Sequence, residues 1–371
     1  YLVGCQRTGE AIIIDPVRDL TKYMEVADSE GFTITQAAET HIHADFASGI
    51  RDVAEQLNAN VYVSGEGDDE LSYRNMPEQT HFVKHQDIIH VGNIKLEVLH
   101  TPGHTPESIS FLLTDEGGGS SVPMGLFSGD FVFVGDIGRP DLLEKSVQME
   151  GSTEVSAKQM YQSIESVKDL PDYIQIWPGH GAGSPCGKAL GAVPMSTLGY
   201  EKINNWAFNV TDESKFVETL TSNQPAPPHH FAQMKKINQF GMNMYQPYDV
   251  FPSLDNARIA FDLRSKEAFH GGHTEGTINI PYNQNFINQI GWYLDYENSI
   301  DLIGDKSTVE QAAHTLQLIG FDNVAGYRLP KSEILTQSIH SVDMTGKEEY
   351  ILDVRNDEEW NNGHLDQAVN I

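Results

Sequence analysis

The chain is predicted to be an α/β protein, and three observations carry that prediction. Up to about Asn223, short apolar strand patterns alternate with helical ones. Several of those strands stop at a tight turn followed by His or Asp. Beyond about residue 245 a second stretch of strand and helix patterns begins and then repeats itself.

The elements follow in order. Tyr1–Pro16 reads as two short strands around a Gly-containing turn, the second at Ala11–Ile14. Further strands are expected at Phe32–Gln36, Asn60–Val63, Lys95–Leu99, Gly125–Phe127 and Tyr173–Trp177. Ile94-Lys95-Leu96-Glu97-Val98 alternates apolar and polar residues, as a half-buried strand does. Helices are expected at Leu20–Glu30, Gly49–Leu57 and Ala157–Val167. The run Asn223-Gln224-Pro225-Ala226-Pro227-Pro228-His229-His230 interrupts regular structure. Phe231–Phe240 reads as one more helix of the first domain, which is expected to span residues 1–245.

The remainder contains a duplication. Asp262-Leu263-Arg264 returns as Asp353-Val354-Arg355, Gly272-His273 as Gly363-His364, and Asn279-Ile280 as Asn370-Ile371. Every pair keeps one ungapped register, which suits a duplicated small domain. Domains are therefore expected at 246–340 and 341–371, the second too short to bury a core alone. Tyr1 is not a start Met, so a preceding segment is expected to be missing; the second copy stops before it is complete.

Composition narrows the function. Against 24 Lys+Arg stand 53 Asp+Glu, a net charge of −29, a field that repels phosphate backbones and argues against nucleic-acid binding. No apolar run is long enough to span a membrane. With 2 Cys no disulfide framework exists, which suits a cytoplasmic location.

Chemistry concentrates at four strand ends: Thr40-His41-Ile42-His43-Ala44-Asp45, Thr101-Pro102-Gly103-His104-Thr105, Ser128-Gly129-Asp130 and Trp177-Pro178-Gly179-His180. Strands ending this way would line one rim of a sheet with imidazoles and carboxylates, which suit a divalent metal. Any one of these motifs alone is commonly a polar turn; four in this order point to a metal site.

The order HxHxD, PGHT, SGD, PGHG resembles the metallo-β-lactamase superfamily. The resemblance implies an αββα sandwich with the metal site at one edge of two sheets. The superfamily's usual first motif is HxHxDH, whereas Phe46 stands in the last position here. Phenylalanine cannot ligate, which disfavours a dinuclear zinc hydrolase of glyoxalase II type. The sequence is more similar to the iron persulfide dioxygenase branch. That likeness implies one Fe(II) per chain held by His41, His104 and Asp130, with His43, Asp45 and His180 around them. It further implies oxidation of a low-molecular-weight thiol persulfide by O₂ to sulfite or thiosulfate in sulfide detoxification, and a homo-oligomer (dimer or tetramer).

Two residues are expected to meet substrate. Gly135-Asp136-Ile137-Gly138-Arg139-Pro140-Asp141 resembles that branch's Gly-Arg-x-Asp loop, where Arg139 either binds a carrier's carboxylate or phosphate or pairs with Asp136 or Asp141. Cys186 follows His180 closely, and Lys188 beside it would favour a reactive thiolate; a buried, inert thiol is the alternative. Cys5 is expected to be core packing.

Ala257–Pro281 and Tyr350–Ile371 resemble the opening of a rhodanese domain. The first copy's expected active loop, Leu302-Ile303-Gly304-Asp305-Lys306-Ser307, has no Cys, so it resembles a degenerate unit. Sulfurtransferase activity would then lie outside this chain. Two rival functions remain at this point: a glyoxalase II-like thioester hydrolase, and a non-enzymatic sulfur-relay scaffold.

Overall fold

The computed structural model of the chain describes residues 1–67, 71–142, 144, 151–182, 184–188, 191–252, 258–330, 338, 351–355, 357–365 and 368–370. The expected domain limit at 340–341, and Gly183, Ala257, Tyr350 and Ile371, lie outside them.

The first sheet holds β1 (Leu2–Gly4), β2 (Glu10–Ile14), β3 (Thr33–Ala38), β4 (Asn60–Ser64) and β5 (Thr80–Val83), side by side in sequence order. β1 pairs antiparallel with β2, and the others run parallel. Parallel neighbours need crossovers, and α1 (Thr21–Glu30) and α2 (Ile50–Leu57) supply two of them. The second sheet contains β6 (Ile88–Val91), β7 (Ile94–His100), β8 (Ile109–Asp115), β9 (Gly125–Gly129), β10 (Gln175–Pro178) and β11 (Ser196–Thr197). Its order is β11-β10-β9-β8-β7-β6, with only β9 and β10 parallel. Among the described residues, β9 is followed in this part by α3 (Ser152–Val167), α4 (Leu198–Asn204), α5 (Trp206–Asn209), α6 (Glu213–Thr221) and α7 (Phe231–Phe240).

Side-chain alternation decides the layering. Along β2, Ile12 and Ile14 face the second sheet, while Ile13 packs with Ala27 of α1 and Val53 of α2. Along β8, Phe111 and Leu113 join that same inter-sheet core, while Leu112 packs with Ala157, Met160 and Ile164 of α3. The layers are therefore helix, sheet, sheet, helix. Cys5 lies in the inter-sheet core, as expected.

The chain then forms β12 (Ala260–Asp262), α8 (Lys266–Gly271), β13 (Ile278–Asn279), α9 (Phe286–Ile290), β14 (Ile300–Ile303), α10 (Lys306–Leu318) and β15 (Val324–Arg328). The strands make a parallel sheet ordered β13-β12-β14-β15. Its core of Phe261, Leu302, Val309, Leu316 and Phe321 also takes in Ala47 and Met234 of the first part. Fully buried Arg18 reaches across the same junction to Asp322 (2.8 Å) and to the carbonyls of Gln317 and Asn243.

β16 (Ile351–Asp353), α11 (Asp357–Asn361) and β17 (Ala368–Asn370) repeat the start of that unit. The repetition extends to individual bonds. Arg264 pairs with Asp262 and donates to Gly272 O; Arg355 pairs with Asp353 and donates to Gly363 O. His273 stacks on Phe269 at 3.9 Å, and His364 on Trp360 at 3.6 Å. Asn279 bridges the carbonyls of Asp262 and Arg264, as Asn370 bridges those of Asp353 and Arg355. Among the described residues no helix is long and apolar enough to cross a membrane.

Candidate metal centre

Four strand ends meet where the two sheets share a rim. β3 leads into His41, β7 into His104, β9 into Asp130 and β10 into His180. Their approach needs glycine. At Gly129, with φ of 52°, a Cβ would lie 2.5 Å from Thr40 Oγ1. At Gly179 it would lie 2.6 Å from Asp130 Oδ1.

The ligand atoms of His41, His104 and Asp130 all lie within 4.8 Å of one another, and all three residues are buried. His104 Nε2 is 3.4 Å and His41 Nε2 3.8 Å from Asp130 Oδ2. The far ring nitrogens set the tautomers. Thr40 Oγ1 donates to Asp15 Oδ2, so at 3.0 Å it accepts from His41 Nδ1–H. His104 Nδ1–H donates to the carbonyl of Arg139 at 2.9 Å. Both Nε2 atoms are thereby left as bare lone pairs turned toward the carboxylate. Among the described residues, His104 Nε2 and both oxygens of Asp130 are buried without a hydrogen-bond partner. Such a set of unsatisfied donor atoms fits a cation held between them.

Electrostatics agree. Burial, and then the charge of His43, hold His41 well below its ordinary value. Burial takes His104 down to about 4, against the pull of Asp130. Burial opposes the charge on Asp130, but His180, His41 and His104 keep its carboxyl well below the usual range. Neutral imidazoles beside a carboxylate are the protonation states a metal requires.

The surrounding residues form a second ring. His180 Nε2 sits 3.3 Å from Asp130 Oδ1 and 3.4 Å from Asp45 Oδ2. Burial opposes its charge, but Asp130 and Asp45 raise it well above its ordinary value. His43 Nε2 lies 3.1 Å from Asp15 Oδ1. Burial would lower it; Asp15, Glu39 and Asp45 raise it to about 9. A cavity of about 280 Å³ opens here, lined among others by Asp15, His43, Asp45, Phe46 and His180. Phe46 stacks on His43 at 4.3 Å. A larger cavity of about 770 Å³ lies along β1 beside Phe127 and Trp177; none of the residues of the His41, His104, Asp130 cluster lines it.

At Arg139 and at Cys186 the sequence left two alternatives open. Arg139 is fully buried and makes a two-pronged pair with Asp141, 2.7 Å on each prong, while also donating to the carbonyls of Pro185 and Pro225. Its guanidinium is thus spent on fastening loops, the loop-stiffening alternative with Asp141, and its carbonyl orients His104. Cys186 does reach the rim, its sulfur within 4.8 Å of ligand atoms of Asp45 and His180. The Lys188 ammonium donates to Ser222 O. Burial, first, pushes the thiol up to about 12.

The motifs did not single out Asp15, Glu107 or Lys235, all at this site. Asp15 carries the same signal as the others, since Ala11-Ile12-Ile13-Ile14-Asp15 is an apolar strand ending in a carboxylate. Glu107 accepts from Ile42 N–H and Thr105 Oγ1. Lys235 comes from α7, where nothing in the local pattern marks it.

Residues 1–180 match the family model described as the metallo-beta-lactamase superfamily. A crystal structure of a metallo-beta-lactamase from Staphylococcus aureus subsp. aureus COL is 72% identical, with a TM-score of 0.84, covering 89% of this chain and 95% of that one. The ETHE1 structure from Myxococcus xanthus is 27% identical, with a TM-score of 0.51, covering 64% of this chain and 92% of that one. A hydroxyacylglutathione hydrolase of Dictyostelium discoideum is 29% identical over 246 residues, which is 65% of this chain and 80% of the relative.

Proposed function

The chain belongs to the metallo-β-lactamase superfamily, and from that premise we propose that it is a mononuclear iron persulfide dioxygenase. One observation carries the reading. His41, His104 and Asp130 close on one another, while Phe46, packed on His43, takes the position of the superfamily's second-metal histidine. Two imidazoles and one carboxylate leave several coordination positions free, the donor set of non-haem iron oxygenases. The likeness to the ETHE1 structure supports the same branch. Bound iron would supply redox activation of O₂ beside a sulfur substrate, which zinc cannot.

The chain's own residues do the rest. Thr40 and the Arg139 carbonyl hold the two imidazoles as neutral Nε2 donors. Asp130 contributes the compensating negative charge, and His180, set between Asp130 and Asp45, lies beside its Oδ1. The cavity beside Phe46 offers an apolar wall to the thiol carrier. Cys186 is proposed to take the outer sulfur of a second persulfide, whose carrier leaves as its thiol, and to pass that sulfur to sulfite, which leaves as thiosulfate while the cysteine returns to its thiol. The units after residue 245 are proposed as rhodanese-like, the first lacking its cysteine. Their support is the duplicated Asp-x-Arg bonding.

A thioester hydrolase is the second reading. Its support is the hydroxyacylglutathione hydrolase relative and the cluster of Asp45, His180 and Cys186, three further groups able to hold a metal. An oxygen electrode separates the two. Protein loaded with iron or with zinc is given persulfides of glutathione, coenzyme A, bacillithiol and cysteine. The dioxygenase consumes O₂ only when loaded with iron, and His104→Ala loses both the metal and the uptake. Stoichiometric zinc with thioester cleavage and no O₂ uptake would overturn the proposal. Sulfur-carrier function surviving in His104→Ala would point to the scaffold instead.

A further inference from the structure

The backbone of Ile42, the residue that directly follows His41, is held at its N–H and at its carbonyl by charged side chains. Ile42 N–H donates to Glu107 Oε1 at 2.9 Å. Ile42 O accepts from Lys235 Nζ at 3.0 Å. Glu107 is 1% exposed and Lys235 5% exposed, so neither charge is a surface group that happens to touch a loop. Burying two charges costs on the order of several kcal/mol per ion unless each is compensated. Burial, first, holds Lys235 below its ordinary value; of the carboxylates that oppose this, Glu107 comes first, ahead of Asp130 and Asp45.

The same carboxylate also reaches the second histidine's motif. Glu107 Oε1 accepts from Thr105 Oγ1 at 2.8 Å, and Thr105 adjoins His104. The helix carrying Lys235 holds the rest of the first loop. Asn238 donates to His43 O and Phe46 O and accepts from Ser48 N–H, at 2.9, 2.7 and 2.8 Å. That helix is itself anchored from behind, because Met234 packs in the core built around Phe261 and Phe321.

We infer that Lys235 and Glu107 are positioning residues that act through the backbone on either side of Ile42 to set the approach of His41 to His104. The inference rests on the metal-binding part of the proposed function, not on the oxygenase part. Lys235 lies 194 positions from His41 in the sequence, so only the fold brings it to the loop.

Cobalt(II) titrated into metal-free full-length protein tests this without O₂ or persulfide. Its visible absorption reports ligand geometry, and its dissociation constant reports affinity. Glu107→Ala and Lys235→Met are expected to weaken cobalt by about tenfold or more, as loss of groups behind metal ligands does, and to change the spectrum. Glu107→Gln keeps an oxygen acceptor for Ile42 N–H and is expected to recover the wild-type spectrum. The double variant Lys235→Met with Glu107→Gln is expected to deviate from the sum of its parts, because the two charges compensate each other. Thermal unfolding of each metal-free variant checks that it is folded. Should Lys235→Met prove unstable, the comparison of Glu107→Gln with Glu107→Ala still decides. Wild-type affinity and spectrum in folded Glu107→Ala overturn the inference, as does Glu107→Gln behaving no better than Glu107→Ala. Absence of cobalt binding to the wild type overturns both this inference and the metal reading. Cobalt effects as expected, with no O₂ uptake by the iron form, would remove the dioxygenase reading alone.

Discussion

Replacing Asp15 by Asn keeps the side chain's shape and withdraws the negative charge 3.1 Å from His43 Nε2. Burial on its own would lower His43; Asp15 leads the groups that raise it from 6.5 to about 9, followed by Glu39 and Asp45. A histidine raised in the folded state lends stability that is complete below its unfolded value and fades as pH climbs through its folded value. The window is therefore pH 6.5 to about 9. A rise of that size corresponds to roughly 3 kcal/mol, at about 1.4 kcal/mol per unit. His43 is 2% exposed, so water screens little of it. Glu39 and Asp45 remain in the variant, leaving about 2 kcal/mol as the expected share of Asp15. Urea denaturation of chelator-treated protein, across that pH window, measures the stability difference between wild type and Asp15→Asn. The difference should be greatest at the acid end and shrink toward the alkaline end. A difference that stays constant across the window would refute the argument.

Other variants read other parts of the site. Arg139→Met should destabilise by about 3–5 kcal/mol, because it breaks a buried ion pair with Asp141. Chemical denaturation measures that loss, and a change confined to KM would contradict it. Gly179→Ala drives a methyl against Asp130 Oδ1. It should weaken metal binding by about tenfold or more, read by metal analysis after dialysis.

Legibility differed from one element to the next. β7 was visible because one face packs between the sheets while Lys95 and Glu97 meet solvent. β8 was not, since Phe111 and Leu113 enter one core and Leu112 the other, so both faces are apolar and no alternation remains. β5 was also missed, being a short edge strand with exposed His81 and Phe82. α3 begins at Ser152, ahead of the expected Ala157, because its first turn lies largely outside the core and carries no apolar period.

The site divides the same way. Residues ending a strand in His or Asp were readable because the strand pattern and the polar stop are neighbours in the chain. The role of Arg139 was not, since a guanidinium on a Gly-rich loop suits an anion as well as an aspartate. Only the burial around it and the carbonyls of Pro185 and Pro225 decide between them. Lys235 lay further out of reach, a polar residue within a helix of ordinary pattern.

The sequence by itself determined the α/β class, the four polar strand ends and the duplicated Asp-x-Arg units, all of which are short-range patterns. Tertiary structure decided which imidazole nitrogens stay bare, that Arg139 faces inward, and that the backbone of the residue beside His41 is held from two distant segments. Those outcomes depend on hydrogen bonds and burial between residues far apart in the chain, and local periodicity carries no record of such contacts.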